Sequence, residues 1–435
     1  MTQVPFATAS MRHDGELQST TERLINMFAE AKPDAVPVLV RSAPGWTETS
    51  TFGGSARAMV RAGRDIYIAS DGGLWRYDGL TTALVGGIPD DAETTMAYNG
   101  THVGVVSGGQ YNISDGSGVD RITGGAFGDY GSIESVDGYF ILTEKDGSRY
   151  ACTTLNDASE VPGLFFASAD YQPDEMVAVK RNLKDVWLFG KDSIQVAQNV
   201  GGSGFPFQAV PGMVFDIGCK SAATVVQMEN SIIWVDGDNN VRRSNAGVIS
   251  TANVSAAIKA TTGNLTAYEY QFDGHIFYVL RFQDRPAWVF DVSTGAWHER
   301  SSGTRYGPFC VTASVQMGGN WYAGTADGVL GAFGGFTEGG SPMRREATSQ
   351  SVSVGGTRFS PRMLDIEVTR GTGATLMAQF SRDAATFSRE RYRDLPAQDY
   401  NRRVTFRGLG QGREFAVRLA CTDDADFGIH GAQLG

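Results

Sequence analysis

The sequence predicts an all-β protein, built as a β-propeller of six to seven blades, with seven favoured, and a C-terminal β-sandwich. Two observations lead to this fold class. The chain contains 55 glycines but only 14 prolines, which suits many short strands joined by tight turns. In addition, one pattern recurs at seven places: a turn such as Asp-Gly, a short apolar run, a second turn and an aromatic strand.

The best-formed copy covers residues 273–300, DGHIFYVLRFQDRPAWVFDVSTGAWHER. Its apolar runs at 275–282 and 287–292 flank a polar break that ends at Pro286, and a Ser-Thr-Gly turn leads into the last short strand, AWHER. Three adjacent short strands cannot bury both of their faces alone. The unit therefore requires neighbours of its own kind.

These neighbours are the other copies of the pattern. The first strands of the seven copies are predicted to begin near Ile66, Val103, Tyr139, Val186, Ile232, Ile276 and Trp321. Successive copies lie 36 to 47 residues apart, and propeller blades of about four short strands repeat roughly every 40 to 45 residues. The spacing predicts a propeller over residues 51–340, with a double-layered β-sandwich assembly as the alternative.

Residues 1–50 do not follow the repeat and are predicted to form an N-terminal arm. Residues 17–31 are expected to hold one short helix, with a Ser or Thr N-cap at 19–21, ended by Pro33. Residues 38–40 are expected to form a short strand. Such an arm can close the ring by lending a strand to the last blade, or can reach a neighbouring subunit.

Residues 341–435 differ from the repeats in composition and in their pattern of apolar residues. A linker rich in Ser, Gly and Arg precedes strands whose apolar residues alternate, at 364–368, 376–380, 404–406 and 415–419. About 90 residues of this kind predict a separate C-terminal β-sandwich.

Two sets of side chains are candidates for assembly contacts. The stretch 156–208 has long loops with aromatic residues, which supply interface area at low entropy cost, or which fold back over the blade ends. Arginines of the C-terminal domain alternate on one face, where they suit acidic partners or are simply solvated. The candidates are Phe165, Phe166, Tyr171, Phe205 and Phe207 in the loops, and Arg389, Arg391 and Arg393 in the C-terminal domain.

Charge is distributed unevenly along the chain. Of the net charge of −11, residues 341–435 contribute 14 arginines, no lysine and 11 acidic residues, a balance of +3, so the first 340 residues carry −14. An acidic body argues against wrapping nucleic acid, because that binding depends on phosphate neutralisation by Lys and Arg. It suits a surface that DNA slides past without binding. Simple solubility is the alternative, and charge alone favours it.

Metal and cofactor chemistry is not indicated. The four cysteines make no CxxC pair and the five histidines form no cluster, so reduced, buried thiols and no cofactor are expected. His275 and His298 fall on predicted strands next to aromatic residues, which favours core or interface histidines. Asp236, Asp238 and Asn240 begin like a calcium loop but lack its Gly and closing Glu, which predicts a hairpin turn.

Catalytic motifs are also missing from the sequence. There is no phosphate-binding loop, no G-x-S-x-G elbow and no HExxH helix. Carboxylate pairs leave a glycosidase open, although nothing singles out an acid and a nucleophile. No apolar run approaches the roughly 18 to 20 residues that a membrane span needs. The N-terminus lacks the basic patch and apolar core of a secretory signal, so we expect synthesis and folding inside a cell.

A series of short stretches occurs in the order found in one known family. They are ERLINMFAE at 22–30, APG at 43–45, VDGYFILTEKDGSRYACTTLND at 136–157, FFASADYQPD at 165–174, VWLFGKDSIQV at 186–196, FPF at 205–207, DGHIFYVL and WHER within 273–300, and FSRDAATFSRERYRDL and RVTFRGLGQGREFAVRL in the last domain. With these stretches the chain resembles, along nearly its whole length, the packaged-DNA-stabilisation proteins, which are tail hub or nozzle proteins of short-tailed bacteriophages. The family has Asp-Gly-Gly and Trp where this chain has Asp383-Ala384-Ala385 and Phe387, so that turn departs from the pattern.

The resemblance implies a structural, non-enzymatic protein of the virion tail, synthesised in the host cytoplasm. It implies a ring oligomer, a hexamer, that extends the channel of the portal and its adaptor, the head-to-tail connector, and retains packaged DNA. Tail fibre, spike or needle proteins are the further implied partners, with DNA only as a passing cargo and no membrane. The alternative function is a carbohydrate-binding or glycan-cleaving propeller at the virion tip.

Overall fold

The computed structural model describes residues 2–6, 22–30, 39–169, 174–202, 204–401 and 403–435. Within this part of the chain, residues 46–333 form seven antiparallel units of four strands each, here called sheets. Five are separate sheets, and two belong to larger sheets of ten and six strands. The first strands of successive sheets contact one another, and the first strand of the seventh sheet contacts that of the first, so the sheets close a ring. The all-β propeller prediction is confirmed.

The sheets are numbered 1 to 7 in chain order. Sheets 1 to 3 contain the strands Ala58–Ala62, Asp65–Ser70, Gly73–Tyr77 and Thr82–Gly87; Thr95–Tyr98, Val103–Ser107, Gln110–Ser114 and Asp120–Arg121; and Tyr130–Val136, Tyr139–Glu144, Arg149–Cys152 and Phe166–Ser168. Sheets 4 and 5 contain Met176–Asn182, Asp185–Gly190, Ile194–Asn199 and Phe207–Phe215; and Val226–Met228, Ser231–Val235, Val241–Arg243 and Gly247–Val248. Sheets 6 and 7 contain Leu265–Phe272, His275–Phe282, Ala287–Asp291 and Ala296–Arg300; and Val311–Met317, Asn320–Thr325, Val329–Phe333 and Trp46–Thr51.

The strands that the sequence predicts as the first of each repeat are the second strands of these sheets, so that part of the prediction is wrong. The second strands are mostly apolar because both of their faces are buried, as in Asp65–Ser70 and Ser231–Val235. The true first strands line the ring's centre, and they mix buried with half-exposed residues, as in Tyr130–Val136. Their weaker apolar signal explains why the repeat appears to start one strand late.

The Asp-Gly dipeptides of the repeat form tight hairpin turns. Asp137 and Gly138, and again Asp273 and Gly274, have φ between 51° and 86°. Two successive positive φ angles make the type I′ turn, whose twist matches that of a hairpin. The Asp236–Asn240 stretch likewise connects two strands of sheet 5, as the sequence predicts.

The ring is closed by an early segment of the chain. Trp46–Thr51 pairs antiparallel with Val329–Phe333 and is the fourth strand of sheet 7. The sequence offers two roles for the N-terminal segment, and this pairing corresponds to the loan of a strand to the last blade.

The remaining strands form a second body of two facing layers. One layer has the order Met27–Glu30, Leu39–Ser42, Ile429–Leu434, Met363–Val368 and Val404–Arg407, and Thr2–Gln3 also pairs with Ile429–Leu434. The other has Arg23–Ile25, Arg345–Thr348, Glu414–Cys421, Thr375–Ser381 and Arg391–Asp394, with Val352–Ser353 on Glu414–Cys421. Buried residues of both layers, among them Leu24, Leu364, Phe406 and Leu419, share one core. The short hairpin Thr337–Glu338 and Ser341–Pro342 continues sheet 7.

The predicted helix at 17–31 is wrong over its described part, residues 22–30, and the rest lies outside the described residues. Arg23–Ile25 and Met27–Glu30 are strands, separated by Asn26 at φ 53°. Leu24, Ile25, Met27 and Phe28 are all buried. Burial on both sides of the backbone suits a strand between partners and not an amphipathic helix, which buries one stripe.

The predicted Ser/Gly/Arg-rich linker contains a buried strand. Arg345–Thr348 pairs with Arg23–Ile25 on one side and Glu414–Cys421 on the other. Ile25 also pairs in parallel with Glu299, so this layer of the second body is continuous with sheet 6. The domain limits at residues 50 and 340 stay a prediction.

Helices are few in the described chain. They are the α-helix Ala252–Ala260, between sheets 5 and 6, and the 3-10 helix Ala222–Thr224, before sheet 5. Neither has the length and apolar character of a bilayer-crossing helix.

Candidate functional site

The centre of the ring is a polar cavity of about 320 Å³. Its lining comes from the first strands of all seven sheets and the loops that precede them. Polar lining residues include Thr95, Ser132, Glu134, Lys180, Gln227, Thr266, Glu269 and Ser314.

One mouth of this cavity is bridged by a hydrogen bond. Ser221 lies before sheet 5 and donates its hydroxyl to Glu93 Oε1, which lies before sheet 2, at 2.8 Å. Sheets 2 and 5 are three positions apart in a ring of seven, so this bond crosses the axis. Ser221 also accepts the N–H of Ala223 and thereby caps the 3-10 helix Ala222–Thr224 at the same mouth.

The walls are held together by bonds between neighbouring first strands. Thr95 Oγ1 accepts the N–H of Ile133 at 3.1 Å, and Ser132 Oγ accepts the N–H of Val179 at 3.0 Å. The Ser314 hydroxyl donates to the backbone carbonyl of Glu269. An ion pair adds to these bonds between sheets 3 and 4, with Lys180 Nζ 2.8 Å from Glu134 Oε2. Because first strands of adjacent sheets do not share a backbone ladder, these side chains add polar links to the apolar packing at three of the seven junctions, between sheets 2 and 3, 3 and 4, and 6 and 7.

Glu269 is the carboxyl group of this cavity that lacks an ion pair within the described chain. Burial raises its pKa to about 7, and the nearby Lys180 charge only partly offsets the effect. Lys180 is already bonded to Glu134. Near neutral pH, the cavity therefore holds a carboxyl group that is poised between its neutral and charged forms.

A second region of buried polar contacts joins the ring to the second body. The Asn26 side chain donates to the carbonyls of Ser301 and Arg344 at 2.9 and 2.8 Å, and its Oδ1 accepts the N–H of Ser301 at 3.0 Å. Arg23 and Glu299 form a two-point ion pair with distances of 2.7 and 2.6 Å. We call these five residues, Arg23, Asn26, Glu299, Ser301 and Arg344, the joint.

Two fully buried arginines reinforce the joint. Arg300 donates to the carbonyl of Pro44 at 2.7 Å and to the Tyr270 hydroxyl at 3.2 Å. Arg345 donates to the carbonyl of Ala425 at 2.6 Å, and burial lowers its pKa. A buried charge held by several hydrogen bonds fixes one relative placement of its neighbours, because the alternatives leave it unsatisfied.

The aromatic contact candidates in the described chain pack against sheets 3 and 4. Phe166 and Phe207 lie in the fourth strands of these sheets, so their predicted placement in loops is wrong. Phe207 is 2 % exposed and belongs to the core between sheets 3 and 4. Phe205 lies against Tyr150 with ring centroids 5.4 Å apart, and Phe165 packs on the same core. Phe166 is half-buried under the Arg149 guanidinium, which is 5.2 Å from its ring centroid. Tyr171 lies outside the described residues, and a contact role for the half-buried members stays a prediction.

The arginine candidates lie at or before an edge strand of the second body, Arg391–Asp394. Arg391 donates to the carbonyls of Arg407 and Gly408 at 2.8 and 3.0 Å, across the gap to the other layer. The Arg393 guanidinium is 4.7 Å from the centroid of the Phe406 ring. Arg389 is exposed. The three do not converge on one site within the chain, and their role in assembly stays a prediction.

The two histidines lie in the core beside the joint. Nδ1 of His275 is 2.8 Å from Oδ2 of Asp291, as expected of a satisfied core histidine. His298 is 2 % exposed, and burial lowers its pKa to about 3. Its Nε2 has no hydrogen-bond partner in the described chain. The described residues contain no group of three or more His, Cys, Asp or Glu that could hold a metal ion.

Sequence reasoning did not single out the cavity residues. Glu134, Lys180 and Glu269 lie in the first strands, which the repeat pattern omits. The sequence contains a signal for one of these strands, because Tyr268, Tyr270 and Phe272 alternate with polar residues in Leu265–Phe272. The bond between Ser221 and Glu93 has no local signal, since 128 residues separate its partners.

Comparison with known proteins gives one family and a set of similar structures. The model of the family described as "Bacteriophage P22 Gp10, beta-propeller" matches residues 2–337. No curated protein sequence matches the chain. Similar solved structures include the WD40 β-propeller domain of Doa1, 13% identical with a TM-score of 0.43, covering 66% of this chain and 97% of that one. BamB from Moraxella catarrhalis is 14% identical with a TM-score of 0.40, covering 76% of this chain and 97% of that one.

Proposed function

Since the chain belongs to the phage family described as Bacteriophage P22 Gp10, β-propeller, we propose that it is a structural protein of the virion, a tail hub or nozzle. In this role it extends the channel of the portal and its adaptor and retains packaged DNA. The observation that carries the proposal is the family match over residues 2–337.

The bridge across the propeller's own cavity supports a ring of several copies. The Ser221–Glu93 hydrogen bond crosses the axis of the propeller, so a duplex, whose major groove alone is about 12 Å wide, cannot pass through the propeller's own cavity. A DNA channel built from this protein must therefore lie between copies arranged around it. We take the ring to be a hexamer.

The rigidity of the joint suits such a ring. The second body shares a sheet with sheet 6 through Ile25 and Glu299, and Asn26 is hydrogen-bonded on both sides of the junction. The two bodies consequently behave as one unit. A lumen assembled from rigid units keeps one diameter, which a channel for DNA requires.

The distribution of charge along the chain supports a channel through which DNA passes without being bound by the protein. The first 340 residues carry −14, whereas residues 341–435 carry +3. The acidic part lines the lumen and repels phosphate, while the arginines of the second body face acidic groups of the portal adaptor and of tail fibre, spike or needle proteins. Arg389 and Arg393, which are exposed, are the members of the arginine set available for such contacts.

The proposal is tested by particles assembled without the protein. In the phage that encodes it, deletion should give heads that package DNA and then lose it, measured as DNA that nuclease degrades outside the particles. Supplying the wild-type protein should restore retention. Deletion particles that keep their DNA but fail to bind host cells would contradict the hub and favour the glycan-binding alternative.

A further inference from the structure

The cavity at the propeller's centre has features of a small-ligand site that a purely structural role does not require. The hydroxyl groups of Thr95, Ser132 and Ser314 are engaged in bonds between neighbouring strands. The walls are therefore fixed before any ligand enters. Arg181 is exposed at the mouth away from the Ser221–Glu93 bond, and the cavity opens there.

The polar groups that remain unused in the cavity are mainly acceptors. The Glu269 carboxyl group has no hydrogen bond or ion pair in the described chain. The Thr266 hydroxyl oxygen is buried and lacks a partner there. Gln227 donates its amide N–H to the carbonyl of Glu229 at 2.7 Å, which leaves its amide oxygen as an acceptor.

The cations of the lining are largely committed elsewhere. Lys180 is bonded to Glu134 at 2.8 Å, and Arg57 lies 2.8 and 3.1 Å from Asp71 and Asp90. Arg181 is at the exposed rim. A ligand that reaches Glu269 thus meets a carboxyl group that has no ion pair in the described chain and feels only the more distant Lys180 charge, in a space where desolvation strengthens electrostatic contacts.

We propose that the cavity binds a small alkylammonium ligand, such as a short linear diamine, whose ammonium group bonds to the Glu269 carboxylate. An ammonium group carries three donors and no acceptor, which complements the unused groups of the cavity. The cavity of about 320 Å³ has room for a small alkylammonium ion. The site is independent of the role in DNA retention.

The test is calorimetric titration of the full chain with putrescine at pH 8, with 1,4-butanediol as an uncharged ligand of the same length. Putrescine should bind with one site per chain and butanediol should not. Glu269→Gln, which keeps the side-chain shape, should weaken putrescine binding at least tenfold. The matched control is Glu175→Gln, which removes a surface carboxylate paired with Lys191 outside the cavity and should leave binding unchanged.

Two additional measurements test whether a loss of binding comes from the Glu269 charge and not from misfolding of the variant. Thermal unfolding of Glu269→Gln reports whether the variant is folded. Binding should be weaker at pH 6 than at pH 8, because protonation removes the Glu269 charge. The other charged groups that affect this site are Lys180, Glu134 and Glu229. Equal weakening by Glu175→Gln, or no putrescine binding by the wild-type chain, would overturn the proposal.

Discussion

Trp297 offers the sharpest test of how the blades pack. Its side chain is 2 % exposed and lies in the core between sheets 5 and 6, beside the α-helix Ala252–Ala260. Its ring centroid is 5.2 Å from that of Phe290, and its indole N–H donates to the carbonyl of Ile249 at 2.8 Å. The residue thus joins two blades by apolar packing and by one hydrogen bond.

Replacing Trp297 by alanine should lower the free energy of unfolding by about 3 to 5 kcal/mol. Burying an aromatic side chain of roughly 200 Å² at about 25 cal/mol per Å² gives a transfer term of about 5 kcal/mol, of which alanine retains a small part. Trp297→Phe keeps most of the apolar area but leaves the carbonyl of Ile249 without its donor, and should cost about 1 to 3 kcal/mol. The two variants therefore separate packing from hydrogen bonding.

The assay is urea unfolding followed by far-ultraviolet circular dichroism, which does not depend on the mutated chromophore. Trp288→Ala is the matched control, because Trp288 belongs to the same sheet but is only partly buried, so its loss should be smaller. A change below about 0.5 kcal/mol for Trp297→Ala, the range of surface substitutions, would refute this packing of sheets 5 and 6.

Three further predictions concern the joint, the buried histidine and the C-terminal arginines. Asn26→Ala should lower the free energy of unfolding by about 3 kcal/mol or more, because it removes three buried hydrogen bonds at a position with φ 53°; an unchanged thermal midpoint would argue against the joint. The folded pKa of His298 is about 3 against 6.5 for a free histidine, so the unfolded chain binds a proton that the folded chain does not, and stability should fall as pH decreases from 6.5 to about 3. In urea unfolding at a series of pH values, the midpoint of His298→Gln should decrease less towards low pH than that of the wild type. Equal decreases in both proteins would contradict the lowered pKa. Changing Arg389, Arg391 and Arg393 together to Glu should abolish virion assembly or release packaged DNA, while the wild-type protein should not bind duplex DNA at physiological salt; unaffected particles, or tight and salt-sensitive DNA binding, would reject the charge hypothesis.

The blade repeat could be predicted from sequence because its signal is local. A buried second strand such as Ser231–Val235 is apolar apart from its first residue, and an Asp-Gly pair such as Asp273-Gly274 favours a tight turn. The resemblance to the phage family rests on the same kind of local stretches in a fixed order, and the family match over residues 2–337 confirms it.

The second body and the cavity could be predicted only in part. Alternating apolar residues predict the four C-terminal strands of the second body. They do not predict the N-terminal strands that complete it, because residues that meet there, such as Asn26 and Arg344, are 318 residues apart and share no local pattern. Residues 22–30 contain enough helix-forming side chains to suggest a helix, and burial on both faces overrides that preference. The cavity depends on which first-strand residues face the axis, and this follows from ring closure, a property of the whole chain.

The central claim is that copies of this chain surround a DNA channel, and the most direct test is electron microscopy of the purified protein, alone and with the portal adaptor. We predict a closed ring, with six copies, whose lumen is wide enough for a duplex, and whose propellers each keep a separate, narrow central cavity. The ring should form at least on addition of the adaptor. Single particles that remain monomeric in both samples, or a ring whose lumen is too narrow for duplex DNA, would contradict the claim.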